Sequence, residues 1–572
     1  MELSPFIATE AAFAPDKYYK YAELTTLLQD WQTRYPDLVT MESIGRSYAG
    51  RDIWGITLTN AKTGAADDKP AYYIDANIHA GEIIGSSVVL YTINWLLTHY
   101  GTDAKATYLL DQTAFYLVPR ISVDGAELYM TTPTTLRSSV RPDPNADERD
   151  GLNRRDLNGD GFITVMRVKD ATGPWKQSAL DDRLMVKRAP DEVTGDFYRV
   201  YPEGELTEDP KGAGVTLRKP PHHLDVNRNF PAHWLPDSTQ AGAGIYPLSE
   251  PETRAAADWI LAHPNICGTQ HYHTWSGVIL RPSSVRADDG LPLADVRAYT
   301  AMGEMGTAET GYPCVSVFQG FAYPEAKKYG GIKGVFMDWV YDHLGLYSFS
   351  TELWNINAAA GIEITDFIND RLNMTEENQI KVLHWADAHI PGGFVPWQHF
   401  EHPQLGAVEI GGWNFKFTHQ NPPGPFMEAL EHGNAMFTLR CAASGPKVHL
   451  TQVTAEAVTP GVYTVRAIVE NLGFLPTQVS EQAKAAGKAK PVTVELTGTG
   501  MNITVLSGKA KQSLGDLAGR NDQYEPLSYM PTYANEARKA ATWTVQAAAG
   551  TTLTVTCIAR NGGTDAKTVT LP

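Results

Sequence analysis

Apolar and polar positions follow two rhythms along this chain. Leu24, Leu27, Leu28, Trp31 and Tyr35 recur at helical spacing and stop at Pro36, which predicts an amphipathic opening helix. Two short strands are expected next, over 38–44 and 52–59, the second alternating Trp54, Ile56 and Leu58. Ala71-Tyr72-Tyr73-Ile74, bounded by Pro70, reads as a strand. After it, 85–100 carries a broad apolar stripe (Val89, Ile93, Leu96, with Val88 and Trp95) that predicts a buried helix capped by Ser86 or Ser87. Phe115-Tyr116-Leu117-Val118, ended by Pro119, is another strand. Strands alternating with helices predict an α/β fold, a mixed sheet covered by helices, with any site at strand ends.

From about 138 to 221 the pattern breaks into Pro, Asp, Gly and Arg, including Arg141-Pro142-Asp143-Pro144, which reads as a loop region long enough to be a functional segment or an insertion. Ser249 and Glu252, at capping-box spacing, open a helix through Trp259 and Ile260. Residues 265–273 read as a strand on which His271 and His273 share a face, and 332–344 as a helix. In Tyr347–Leu353, Phe349, Thr351 and Leu353 share one face of a strand, and Glu352 lies beside Ser350 on the other. Beyond Pro396, a stretch punctuated by Gly and Pro (403–425) and a helix to about Cys441 lead into short alternating strands such as Val462-Tyr463-Thr464-Val465. Turn signals at Asn471-Leu472-Gly473 and Asn561-Gly562-Gly563 separate these strands, the pattern of an all-β sandwich. The expected domains are therefore 1–396, a connector at 397–447, and a β-sandwich at 448–572.

At 572 residues the chain is long enough for two or three packed units. A formal charge of -17 argues against nucleic acid or an anionic membrane as a general partner. The most apolar segment, around 83–97, is too short and polar for membrane insertion. No signal peptide is legible, so the expected location is cytoplasmic, or secreted if a leader was removed. Four scattered cysteines, Cys267, Cys314, Cys441 and Cys557, form no C-x-x-C pair, so any metal must be held by His and carboxylates.

The chemistry is expected at His79-Ala80-Gly81-Glu82, where a strand gives way to a helix. An imidazole and a carboxylate three positions apart on a tight turn can converge on one cation, and nitrogen with oxygen suits zinc. Alone, such a pair is common among surface polar residues and needs a third ligand from elsewhere. Asp156-Leu157-Asn158-Gly159-Asp160-Gly161 offers oxygens at alternate positions as the start of a calcium loop does, so Asp156, Asn158 and Asp160 are candidates for Ca²⁺. Arg167 stands where an EF-hand supplies its bidentate Glu, and a plain Asx-rich turn is the competing reading.

Taken in order, His79-x-x-Glu82, Arg137, Asn227-Arg228, His273 and Glu352 resemble the zinc carboxypeptidases of the carboxypeptidase A-like (funnelin, M14) family, over about Tyr18 to Ile390. Ser122-Val123-Asp124-Gly125 looks like the family's P-D-G turn, with Arg137 twelve positions after Gly125. Leu224-Asp225-Val226-Asn227-Arg228-Asn229-Phe230 is close to its D-x-N-R-N segment, and Phe349-Ser350-Thr351-Glu352-Leu353 looks like the strand of the general base. The resemblance implies one Zn²⁺ held by His79, Glu82 and His273, with Glu352 as general base and Arg137 stabilising the oxyanion. It further implies Asn227 and Arg228 on the substrate's terminal carboxylate, Asp225 orienting a ligand imidazole, Tyr329 closing over the substrate, and Met337 at the base of the specificity pocket. His273 is preferred to His271 because the family pattern continues from it. Gly81 departs from the family's H-x-R-E, and the long insertion is absent from compact members. The implied function is a zinc metallocarboxypeptidase acting on peptides with a free C-terminus. The alternatives are a cell-wall peptide peptidase or amidase on the same fold, and a non-catalytic binding protein.

Overall fold

In the computed structural model, the described residues are 6–10, 12–142, 151–207, 215–218, 222, 224–367, 374–498, 503–522 and 537–572. Asp143-Pro144 and the expected end of the insertion at Pro221 lie outside them. Helix α1 (Tyr21–Arg34) buries Leu24, Leu27, Leu28 and Trp31, the expected stripe. Strands β1 (Val39–Arg46), β2 (Asp52–Leu58), β3 (Ala71–Ala76) and β4 (Ala114–Val118) follow, with helix α2 (Ile83–His99) between β3 and β4. Every residue of β3 and β4 is buried, which is why they read as apolar runs and not as alternations. Helix α3 (Ala104–Gln112) leads into β4, and α4 (Val123–Thr131) comes after it.

Helix α2 begins at Ile83, earlier than its serines suggest, and neither serine caps it. Asn421 does so from 337 positions away, its Oδ1 accepting the Ile84 N–H at 3.1 Å. Ser86 turns its hydroxyl to Asn77 instead, and Ser87 turns to the Lys17 carbonyl. Ser122 to Gly125 open α4 and do not form a free turn. Gly125 is required there because a Cβ would stand 2.0 Å from the Ser138 carbonyl oxygen.

The inserted stretch is sheet and not loop. Strands β5 (Leu152–Arg154) and β10 (Gly204–Leu206) pair with each other. Strands β6 (Val165–Lys169), β7 (Trp175–Gln177), β8 (Met185–Lys187) and β9 (Tyr198–Pro202) join a six-stranded sheet completed by β15 (Phe394–His402) and β16 (Gly406–Trp413). Its core is small (Leu152, Met166, Leu206, Val408, Ile410), which is why no long apolar run announced it.

Helix α5 (Pro251–Ala262) starts with Pro at its first position, and the Ser249 hydroxyl goes to Glu250 and Asn229 and not to the helix. Next come β11 (Ile266–Thr274), β12 (Val278–Arg281), α6 (Leu293–Thr310), β13 (Cys314–Ser316) and β14 (Tyr347–Leu353). The helix expected over 332–344 is shorter, Phe336–Trp339 continued by a π-helical turn to Leu344. The main sheet has eight strands in the order β1-β2-β4-β3-β11-β14-β12-β13. It is mixed: β4, β3, β11 and β14 run parallel, β2 is antiparallel to both its neighbours, and β12 is antiparallel to β14 but parallel to β13.

The stretch expected as a connector carries β16, part of β15 and a helix at Met427–Ala443 that packs on α2 and α6. The described residues between 448 and 570 then form two four-stranded antiparallel sheets facing each other over Val465, Trp543, Val494 and Val555, the expected sandwich. The sandwich meets the main sheet at the strand starts: the Asn561 amide donates to the Ile266 carbonyl at 2.7 Å, and Glu481 and Gln482 backbone N–H groups donate to the Asp295 carboxylate. All four cysteines are unpaired. No helix among the described residues is long and apolar enough to cross a membrane.

Lys416 is buried, and its ammonium donates to the carbonyls of Tyr129, Thr132 and Thr134 at 2.7, 2.7 and 2.9 Å, tying the segment after β16 to α4. Lys416→Met strands three carbonyls, and urea unfolding should report a loss of about 2–4 kcal/mol. The matched control Lys62→Met, at a side chain 72% exposed, should change stability by less than about 0.5 kcal/mol.

Candidate metal centre and cleft

Because β3, β11 and β14 are adjacent and parallel, their C-terminal ends open on one edge of the sheet. His79 follows β3 by three residues, and His273 and Glu352 are the penultimate residues of β11 and β14. Register puts His273 level with Glu352, so both side chains leave the sheet on the same face. It also puts His271 level with Asp75, one pleat lower, and His271 Nδ1 meets the Asp75 carboxylate in a buried hydrogen bond. The His271 ring stacks on Phe336 and meets the His273 ring edge-on, the two histidine centroids 4.4 Å apart. Of the two histidines, His273 is the one that reaches the edge.

There His79, Glu82 and His273 converge, all three buried. Nδ1 of His79 lies 2.9 Å from one Glu82 oxygen, and Nδ1 of His273 lies 2.9 Å from the other. The two ring nitrogens face each other at 3.2 Å. Two nitrogens each about 2.0–2.1 Å from a tetrahedral ion stand about 3.3 Å apart, so the spacing fits zinc. Protonation fits as well. Burial and the neighbouring His271 push the His273 imidazole down to about 3, leaving it neutral. Burial opposes the Glu82 charge, but the two imidazoles hold its carboxyl well below the usual range. Neutral imidazole and ionised carboxylate are the forms that bind a metal. This is the one His/Cys/Asp/Glu cluster among the described residues whose ligand atoms lie close enough together to hold an ion.

Asp225 organises the next layer. Its Oδ1 is 3.1 Å from His79 Nε2, its Oδ2 accepts from Arg137 Nε at 2.9 Å, and Arg228 Nη2 stands 3.7 Å from Oδ2. Burial disfavours its charge, and the two guanidiniums together with His79 more than offset that, holding the carboxyl well below the ordinary range. Arg137 also reaches Glu82, at 3.4 Å. Asn227 accepts the Phe336 N–H with Oδ1, and Asn229 secures the loop by bonding the carbonyls of Ala243 and Tyr246.

A cleft of ≈ 420 Å³ joins these groups; Arg137, Asn227, Arg228, Glu352 and Met337 all line it, together with the three ligand candidates. Met337 belongs to an apolar cluster with Val278, Leu280 and Val317. Among the described residues, Glu82 and Glu352 are the only carboxylates on the lining. Tyr329 lies outside: it is 71% exposed, whereas Tyr323, at the other end of the short helix 324–328, is on the wall. Asp156, Asn158 and Asp160 turn their oxygens onto the N–H groups of Gly159, Gly161, Phe162 and Asp160 itself, so the loop is satisfied as an Asx-rich turn.

Two cleft residues, Phe415 and Gln420, come from a segment the sequence did not mark. A Cβ on Gly81 would lie 2.7 Å from the Gln420 amide and 2.7 Å from the Tyr129 ring, so this segment fills the space a larger side chain at 81 would need. The departure at Gly81 was the available signal.

Residues 24–365 match the family model of zinc carboxypeptidases, and residues 447–570 match a domain family of unknown function. A carboxypeptidase B from Astacus astacus is 38% identical over 110 residues, 19% of this chain and 33% of that protein. A zinc carboxypeptidase from Saccharothrix mutabilis subsp. capreolus is 29% identical over 129 residues, 23% of this chain and 30% of that one. The match thus spans a third or less of the length of these curated relatives. Among solved structures, carboxypeptidase A from Helicoverpa armigera aligns at a TM-score of 0.40 and 16% identity, over 67% of this chain and 76% of its own.

Asp338, beside Met337, is buried with both oxygens on the Ser284 N–H, and burial together with the Asp342 carboxylate pushes it up to about 7. Free aspartate titrates near about 3.9, so between there and pH 7 the folded chain binds more protons than the unfolded one. This contribution to stability is complete below pH ~4 and drains away as pH rises to about 7. Urea midpoints at pH 5 and pH 8 should therefore differ less in Asp338→Asn than in the native protein; identical differences would exclude this residue as the source.

Proposed function

We propose that this chain, which belongs to the zinc carboxypeptidase family, is a zinc metallocarboxypeptidase that removes C-terminal residues from peptides. The observation that carries the reading is the meeting of His79, Glu82 and His273 around one point, with Glu352 one strand away on the same face. His79, Glu82 and His273 would hold one Zn²⁺ per chain, which when bound would supply Lewis acidity toward a water and the scissile carbonyl.

The chain's own residues perform the rest. Arg228 presents a planar fork to the substrate's terminal carboxylate, with Asn227 beside it, and this recognition restricts cleavage to a chain end. Glu352 takes a proton from the attacking water as the new C–O bond forms, and delivers it to the amine nitrogen as the C–N bond breaks. Arg137 donates to the carbonyl oxygen while negative charge builds there, an interaction of a few kcal/mol in the transition state. Asp225 fixes the ring of His79 and the fork of Arg137 at once, so that ligand and oxyanion donor keep their relative position. The apolar surround of Met337 favours an apolar or aromatic C-terminal side chain, since among the described residues no carboxylate at that end of the cleft pairs a cation. The catalytic unit in this reading is 1–396 together with the strands and helix of 397–447, and 448–572 is an accessory sandwich.

Two measurements test this. Glu352→Gln should lower kcat by about 10³-fold or more while metal analysis still finds one zinc per chain, and full activity would remove Glu352 from the mechanism. On peptides differing only in the last residue, release of Phe or Leu should exceed release of Lys or Arg by at least about tenfold; preferential Lys release would overturn the assignment of Met337.

A further inference from the structure

A second cavity, of ≈ 640 Å³, opens beside the cleft. Arg137, Phe415 and Gln420 line both spaces, whereas Asn227, Arg228 and Met337 line the cleft alone. With the substrate's carboxylate at Arg228 and its scissile carbonyl before Arg137, the acyl part of the chain leaves through that shared doorway. This orientation rests on the peptidase reading above.

The chamber belongs to this chain's additions to the fold. Its walls include Leu184, Met185 and Val200 from the inserted sheet, and Trp397 and Trp413 from β15 and β16. Its size lies within the roughly 300–1,000 Å³ of small-ligand sites, and its lining is mainly apolar and aromatic. Among the described residues, no carboxylate lines it. The charge of Arg183 is taken up by Asp181 and Asp387, at 2.8 Å each, and Arg154 lies exposed. Trp397 is held from behind by the Arg167 guanidinium, 4.3 Å from its ring, and by its own indole N–H on the Arg183 carbonyl.

We infer that the chamber is an acyl-side specificity site, built by the insertion and β15–β16, that selects substrates carrying an aromatic or large apolar group within about two residues before the scissile bond. Burying such a group adds binding on the side of the substrate that does not leave first, and a basic group there finds no partner anion among the described lining residues.

The probes are benzyloxycarbonyl-Gly-Phe and acetyl-Gly-Phe, which share the scissile bond and C-terminus and differ only in the acyl cap. The zinc-loaded enzyme should cleave the aromatic peptide with kcat/KM about tenfold or more above the acetyl one. Ile163→Trp, which fills the chamber from its wall, and Trp413→Ala, which removes a wall, should each bring that ratio below about threefold while acetyl-Gly-Phe is cleaved as before. Calorimetry on metal-depleted protein, with the same two peptides, reads the chamber without turnover and should show the same preference and its loss in both variants. Equal affinity and equal kcat/KM for the two peptides, or a preference untouched by both substitutions, overturns the inference. Preferential binding of the aromatic peptide without cleavage of either by zinc-loaded protein supports the chamber and sinks the peptidase reading instead.

Discussion

One buried carboxylate holds the centre of this molecule together. Asp225 faces the ring of His79 with one oxygen and the guanidinium of Arg137 with the other, and Arg228 completes the ring of charge. A buried acid would be costly alone, and it is balanced by Arg228, itself partly buried, and by Arg137, whose side chain stays 41% exposed. Together they neutralise one another, and each fixes the position of the next. The arrangement also explains why the loop around Asp225 is so heavily secured, through Asn229 on two carbonyls and the Asp225 carboxylate on the Asn227 N–H. Loosening that loop would move an imidazole and two cations in one step.

The second constraint is the sheet. Parallel strands ending at a common edge bring His79, His273 and Glu352 together from positions scattered over more than two hundred residues. The same pleat that raises His273 to the edge keeps His271 below it, engaged with Asp75. The C-terminal sandwich grips the opposite ends of these strands, near Ile266 and Gly345, so it braces the sheet without entering the cleft.

Between these sits the part that distinguishes this chain. The segment after β16 caps α2 through Asn421, fills the space over Gly81 through Gln420, and anchors itself to α4 through Lys416. Because β16 also pairs with β6 of the insertion, the inserted sheet is held over the cleft by the same strand that feeds this segment. Insertion, β15–β16 and cleft wall are one mechanical unit, although almost 250 residues separate its parts along the chain.

What the sequence determined by itself was whatever is encoded locally or in motif order: the buried strands, the first amphipathic helix, the alternating sandwich strands, and the ordered set from His79 to Glu352. Those patterns survive because apolar periodicity and ligand chemistry are properties of neighbouring residues. The tertiary structure decided what depends on distant partners. Asn421 sets the start of α2, where Ser86 and Ser87 are better local caps. Short strands in the insertion find their partners in β15 and β16, so their weak local pattern read as loop. Tyr323 reached the wall and Tyr329 did not, because a short helix turns the chain between them. In each case a hydrogen bond or a strand pairing closes over a long stretch of chain, and no window of local sequence contains both of its ends.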